Sequence, residues 1–343
     1  MKAVVSLGSS SVRSNVEAGP HVRVLTQAFQ YKDPKCSYKR RSNLSVRMTS
    51  QQREPALSKD GKQGTRGAMT YTSYEGNAWR CELASSGVKI LVDPWLEGDL
   101  VFGGLDFFFK GTKRVTKPET LNIDQIAKET DFILLTMGID DHTHRPTLKR
   151  LPKSIPVVGS PSAAAIAREL GYSTVLEVRH GSGQVLNMCD GKIRIQATEG
   201  ALVGPPWSVR ENGYVITETT PGGVKLYYEP HADYVPSSVA SVGKVDIVVS
   251  PPCTQSLLGY QLVKGATDNV PLLKLLEPKA VVALMNAEFD ASGPLHTLLS
   301  ETGSPEALES QLKESKELSQ VEVVVPKAGE PVQVLLPAVP PPS

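Results

Sequence analysis

Residues 131–144 read DFILLTMGIDDHTH, an apolar run followed at once by two acids and two imidazoles. Carboxylate oxygens and imidazole nitrogens are ligands that zinc, iron and manganese accept. A second such group lies far along the chain in Tyr227-Tyr228-Glu229-Pro230-His231, and a further acid, Glu199, follows the strand-like stretch 192–198. The residue types mark Asp141, His142, His144 and His231 as candidate metal ligands. Asp141, Glu199 and Glu229 are candidate catalytic carboxylates, able to complete a metal shell or act as a base. Each has a plainer reading. Asp140 and Asp141 could cap a helix beginning at Thr143 or Arg145-Pro146, Glu199 could be a surface acid, and Asp93 could accept amides in the turn leading to Trp95.

Residues 131–136 predict a short buried parallel strand, whose end aims Asp140, Asp141, His142 and His144 into the loop beyond it. Around it the chain alternates strand and helix. Residues 155–158 predict a strand, and Ser160-Pro161 opens a helix that stops at Gly171. Strands are expected at 245–249, 280–285 and 321–325, and helices at 268–276 and from Ser304-Pro305 to about Ser315. A hairpin is expected from 213–218 through Pro221-Gly222-Gly223 to 224–229.

This order of elements resembles the metallo-β-lactamase superfamily, whose signature after the corresponding strand is His-x-His-x-Asp-His. Asp141 and His142 match the last two letters, while Met137 and Ile139 stand at the first two. The resemblance implies that the first of the family's two metal sites is lost, since isoleucine cannot coordinate and a thioether suits such ions poorly. Residues 70–84, the turn Ser85-Ser86-Gly87 and 88–92 with Asp93-Pro94-Trp95-Leu96 resemble the family's opening hairpin. There Gly76-Asn77-Ala78 falls where the ascorbate-6-phosphate lactonase branch carries Gly-His-Ala. His231 falls at the family's metal-bridging aspartate, Glu199-Gly200 at one expected histidine, and Met285-Asn286 at the last. The likeness covers residues 71–325 and implies an α/β fold, a four-layer αββα metallo-β-lactamase-like sandwich. From composition alone a doubly wound sheet would serve equally.

The 343 residues carry a formal net charge of +1, unevenly spread. Residues 1–68 hold 13 Lys/Arg against 4 Asp/Glu, with ten serines and almost no hydrophobic period, so the remainder is acidic. That pattern resembles an organelle transit peptide, of the chloroplast rather than the mitochondrion; a basic arm for nucleic acid or membrane is the alternative. The expected organisation is a leader at 1–68, a metallo-β-lactamase-like domain at 69–326 and a partly proline-rich, disordered tail at 327–343. No apolar stretch reaches the ~18 residues of a spanning helix, so no transmembrane segment is expected. The acidic body carries no basic stripe, which argues against nucleic-acid binding. Phe107-Phe108-Phe109 and Pro205-Pro206-Trp207 are apolar loop clusters suited to core or lid packing, or to a pocket wall. Two function classes follow. One is a chloroplast hydrolase with a single divalent metal ion (Zn, Fe or Mn) acting on a small-molecule ester, lactone or phosphoester. The other is a catalytically inactive relative, binding no metal, that serves a plastid protein partner in binding or assembly.

Overall fold

The computed structural model describes residues 65–204 and 207–338. The leader expected at 1–68 lies outside the described residues apart from its last four, as do Pro205, Pro206 and residues 339–343. In chain order the strands among the described residues are β1 (Thr65–Ser73), β2 (Trp79–Leu83), β3 (Lys89–Val92), β4 (Lys110–Thr112), β5 (Phe132–Leu135), β6 (Val157–Gly159), β7 (Val175–Glu177), β8 (Val185–Met188), β9 (Ile193–Glu199), β10 (Asn212–Glu218), β11 (Lys225–Tyr228), β12 (Ile247–Ser250), β13 (Thr254–Leu257), β14 (Tyr260–Lys264), β15 (Ala280–Ala283), β16 (Asp290–Ser292), β17 (Leu299–Thr302), β18 (Glu322–Val324) and β19 (Pro331–Pro337). The helices are α1 (Ile123–Lys128), α2 (Arg145–Arg150), α3 (Pro161–Glu169), α4 (Pro236–Ala240), α5 (Gly265–Leu276), α6 (Pro294–Thr297) and α7 (Pro305–Glu314). None is long and apolar enough to cross a membrane.

Two seven-stranded sheets carry the architecture. One runs β19-β1-β2-β3-β5-β6-β7 and the other β18-β15-β12-β11-β10-β9-β8. The period-2 geometry of a strand explains the layering. In β5, Phe132 and Leu134 point into the core between the sheets, while Ile133 and Leu135 point outward beneath Ile126, Leu148 and Ala163 of α1, α2 and α3. In β12, Ile247 and Val249 face inward, and Val248 lies with Leu272, Leu276, Leu308 and Leu312 of α5 and α7. A strand covered on both faces must be apolar throughout, which is why 131–136 shows no alternation. The result is the expected four layers, αββα. Rings dominate the middle: Trp79 stacks on Tyr71 and meets Tyr228 edge-on, each at 5.1 Å between centroids. Each such fully buried side chain contributes roughly 1.5–3 kcal/mol.

Three expectations change. Residues 70–84 are not one strand, because Tyr74–Ala78 turns the chain between β1 and β2. Helix α5 starts at Gly265, before the expected 268, and a Cβ there would lie 1.9 Å from Pro251 O. The stretch from 327 is no mere tail: β19 pairs antiparallel with β1 from Thr65↔Pro337 to Thr72↔Pro331 and buries Val334 and Leu336. Its prolines sit at the two ends of an edge strand, where a missing N–H is tolerated.

Candidate functional site

Strand β3 ends at Val92 and is followed by Asp93, whose φ of 41° turns the chain sharply at the rim of the first sheet. Its carboxylate is fully buried and gathers groups from both sheets. Oδ1 accepts from Thr136 N (2.8 Å), and Oδ2 accepts from Thr136 Oγ1 (2.6 Å), Tyr228 Oη (3.0 Å) and His142 Nδ1 (2.8 Å). The expected role for Asp93, amides of its own turn, is therefore corrected. It orients His142, as a carboxylate behind a ligating imidazole does. With Nδ1 so committed, Nε2 is the atom His142 presents. It lies 3.0 Å from Asn77 Nδ2 and 3.4 Å from Asp141 Oδ2, and Asn77 Nδ2 is itself 3.1 Å from Asp141 Oδ2.

Asn77 reaches this place through the turn between β1 and β2. Glu75 and Gly76 both adopt left-handed backbone, φ 64° and 60°, and a Cβ on Gly76 would press on the Trp95 ring at 3.2 Å. The turn is clamped from outside. The buried Glu75 carboxylate accepts from the amides of Arg114, Val115 and Thr116 and from Thr116 Oγ1, at 2.6–3.2 Å. Lys113 Nζ donates to Tyr74 O and lies 4.4 Å from the Trp95 ring centroid. Burial lowers the pKa of Lys113 to about 7, against the pull of Glu75.

From the second sheet, the turn after β11 brings His231 up to His142, ring centroids 5.1 Å apart. Thus two residues 89 positions apart, which the family likeness placed at one site, lie side by side. Burial disfavours charge on His142, but Asp141 and Asp93 on either side outweigh it and raise its pKa to about 10. The cluster thus favours a positive charge between its carboxylates. Asp141 is held below its usual range: burial acts upward, but His142 and then His231 more than offset it.

The remaining candidates are placed elsewhere. His144 is the N-cap of α2: Nδ1 accepts from Thr147 N and lies 2.9 Å from Thr147 Oγ1, and Nε2 lies 3.2 Å from Asp99 O. Both ring nitrogens are engaged, so the cap that Asp140 or Asp141 was expected to supply is an imidazole. Burial holds it neutral, its pKa lowered to about 4. The unfolded side chain protonates near 6.5, so folding stability is full above that pH and lost as pH falls toward 4, on the order of 3 kcal/mol. Urea denaturation as a function of pH tests this: His144→Asn, which keeps a capping acceptor, should flatten that limb, and an unchanged limb would refute the assignment.

Glu229 spends Oε2 on the amides of His231 (3.1 Å) and Asp233 (2.8 Å), bracing the turn rather than facing the cavity. Glu199 lies in a separate polar groove with Ser237 and Ser238. Asp140 accepts from Gly103 N. Met137 is fully buried. Asn286 donates to Pro230 O behind His231.

One cavity of about 330 Å³ is lined by Asn77, Asp141, His231 and Asn286 at its polar end and by Trp95, Phe102, Phe109 and Phe289 among its apolar walls. Of the two apolar loop clusters, Phe109 is thus a pocket wall, while Phe107 and Trp207 are exposed.

The donors suit one divalent ion and not two. Asn77 Oδ1, Asp141 Oδ1 and His231 Nδ1 are buried without hydrogen-bond partners, as is Glu229 Oε1 at 3.8 Å from His231 Nδ1, a concentration of unsatisfied polar atoms that an ion would relieve. With His142 Nε2, the Asp141 and His231 atoms make a set of one oxygen and two nitrogens, acceptable to zinc, iron or manganese. Among the described residues no three His, Cys, Asp or Glu side chains already surround a common point. An ion bound there would need His231, whose Nδ1 faces Glu229 Oε1 at 3.8 Å, to swing toward Asp141 and His142.

A chain of this architecture, with a polar cluster at the strand ends where the two sheets meet, belongs to the metallo-β-lactamase class of folds. The comparisons make the family definite: residues 70–285 match the family model described as "Beta-lactamase superfamily domain", and the chain belongs to that family. Similar solved structures include a possible metal-dependent hydrolase from Veillonella parvula DSM 2008, TM-score 0.56 at 16% identity, covering 78% of this chain and 100% of that one. An isothiocyanate hydrolase from Delia radicum gut bacteria gives TM-score 0.55 at 19% identity, with 77% and 98% covered. The metallo hydrolase Igni18 from Ignicoccus hospitalis gives 0.52 at 15%, with 79% and 99% covered. At these identities the likeness is one of fold. No curated protein matches.

Proposed function

We propose that this chain is a small-molecule hydrolase working with a single divalent ion at Asp141, His142 and His231. The observation that carries the reading is the group of unpartnered donor atoms on Asn77, Asp141 and His231 around an imidazole already oriented by Asp93. An ion held there would supply a bound water acidified toward neutrality, fit to attack an ester, lactone or phosphoester. The protein's own residues do the rest. Asp93 fixes the ring and tautomer of His142, Asp141 contributes charge, His231 closes the set from the opposite sheet, and the aromatic wall excludes bulk water.

The test is the metal content of the full chain, purified without a histidine tag and measured by plasma mass spectrometry. About one ion per chain is expected for the wild type, the count for a three-ligand site with an open position, with loss in His142→Ala and His231→Ala. Because His142 must give up its proton to bind, affinity should weaken by up to about tenfold for each unit of falling pH. A folded wild type that takes up no zinc, iron or manganese would overturn this reading and leave the inactive binding protein in its place.

A further inference from the structure

Resting on that hydrolase reading, we infer that the substrate is an uncharged, lipophilic ester or lactone rather than a phosphoester or other anion. The cavity wall decides it. No lysine or arginine lines the chamber that holds Asn77, Asp141 and His231. Its polar end offers amides, one imidazole and a carboxylate, and Asp141 repels an anionic head group. A phosphoester would have the ion or the His142 charge on one side but no lysine or arginine to meet its remaining oxygens, which carries a desolvation penalty that a neutral ester escapes. An ester carbonyl needs only a donor or two, which the side-chain amides of Asn286 and Gln255 in the chamber wall can supply.

The rest of the chamber is built for apolar groups. Trp95 satisfies its own indole N–H on Gly98 O (3.0 Å), and Phe289 packs edge-on against it with centroids 5.5 Å apart. Phe109 adjoins Phe289 at 6.5 Å. Ile139, at a position where the superfamily signature would place a ligand, contributes hydrocarbon to the same wall. At about 330 Å³ the chamber is near the lower end of ligand cavities, which run from about 300 to 1,000 Å³. A second chamber of about 500 Å³ shares Phe109, Gln255, Asn286, Phe289 and Leu299 with it but is lined also by Arg114, Glu288 and Glu301, so a chain longer than the first can hold would run past charged as well as apolar groups. Phe289 lines both chambers.

The approach to the site is apolar as well. Phe108, Leu258 and Leu298 are exposed, and each directly adjoins in sequence a residue lining the inner chamber: Phe109, Leu257 and Leu299. These segments are neighbours in space, since Leu258 N donates to Leu298 O and Leu295 N to Phe108 O.

Binding is measured on the full chain with the neutral fluorophore N-phenyl-1-naphthylamine, in chelator so that no ion takes part. Methyl decanoate should displace the probe at a concentration at least about tenfold below that of decyl phosphate, the factor a single unpaired charge readily produces. Ile139→Trp, which fills the chamber, should weaken probe binding by a similar factor with an unchanged urea midpoint, and Phe289→Ala should shift the preference toward longer esters. Equal or tighter displacement by decyl phosphate, or no probe binding by the folded wild type, would overturn the inference. The two readings fail separately. Ester binding without hydrolysis in zinc would sink the hydrolase and leave the lipophilic chamber, whereas hydrolysis of hydrophilic esters by a chain that ignores the probe would do the reverse.

Discussion

Replacing Asp93 by alanine is expected to destabilise the protein by about 3–5 kcal/mol, the scale for removing one partner of a buried ion pair. The reason lies in what the carboxylate holds. Thr136 N, Thr136 Oγ1, Tyr228 Oη and His142 Nδ1 all converge on it, and none of these groups can reach water. Truncation would strand Thr136 N and Tyr228 Oη, leave Thr136 Oγ1 and His142 Nδ1 only each other at 2.9 Å, and leave the His142 charge with Asp141 alone. Since a domain's whole stability is about 5–15 kcal/mol, the variant should be close to unfolded at room temperature. Asp93→Asn keeps the shape but loses the charge and turns a donor toward a donor if its amide faces His142, so an intermediate loss is expected. Urea unfolding followed by tryptophan fluorescence measures both. A variant as stable as the wild type would show that the Asp93 cluster does not hold the two sheets together.

Glu75→Ala should produce the second large effect, about 3 kcal/mol, because three backbone amides lose their acceptor at about 1–3 kcal/mol for a buried orphan, partly relieved by water, while Thr116 Oγ1 keeps Tyr74 O. The consequence reaches the site. Glu75 ties the segment carrying Lys113 and Thr116 to the turn that carries Asn77, and without it Asn77 loses its fixed approach to His142 and Asp141. Affinity for the ion should fall along with stability. Lys113 also loses the negative neighbour that favours its charge, so its pKa should drop further below about 7. Chemical denaturation and metal uptake, measured on the same preparation, check the two halves. Normal uptake by a destabilised protein would reduce Glu75 to a purely structural clamp.

What could be read from the sequence was what depends on local pattern. The strand β5, the Ser160 cap of α3, the Ser304 cap of α7 and the β10–β11 hairpin each follow from apolar runs, capping residues or glycine turns, and all formed. The meeting of His142 with His231 was implied by the family likeness, not by spacing. Other assignments rest on proximity across the fold. Asn77 and His142 are separated by 65 residues and Asp93 and His142 by 49, so no local signal marks either partnership. His144 offered the same imidazole as His142 but caps a helix, a task that sequence rules reserve for Ser, Thr, Asp and Asn. Glu229 reads as a free acid at a strand tip, yet its own turn consumes one oxygen. The small sheets β14-β13-β17 and β16-β4 went unread because strands of three to five residues carry too few alternations to register.

The closure of the first sheet by β19 bears on how the chain is made. Thr70 and Gln333, joined by a side-chain hydrogen bond of 2.7 Å, stand 263 residues apart. During synthesis β1 emerges long before its partner and waits, its outer row of amides and carbonyls bare, until β19 follows. Contacts of such long range form slowly, and a waiting strand edge is a place for other chains to add. The edge of β1 thus stays open to other chains for as long as 331–337 is not yet in place to cover it.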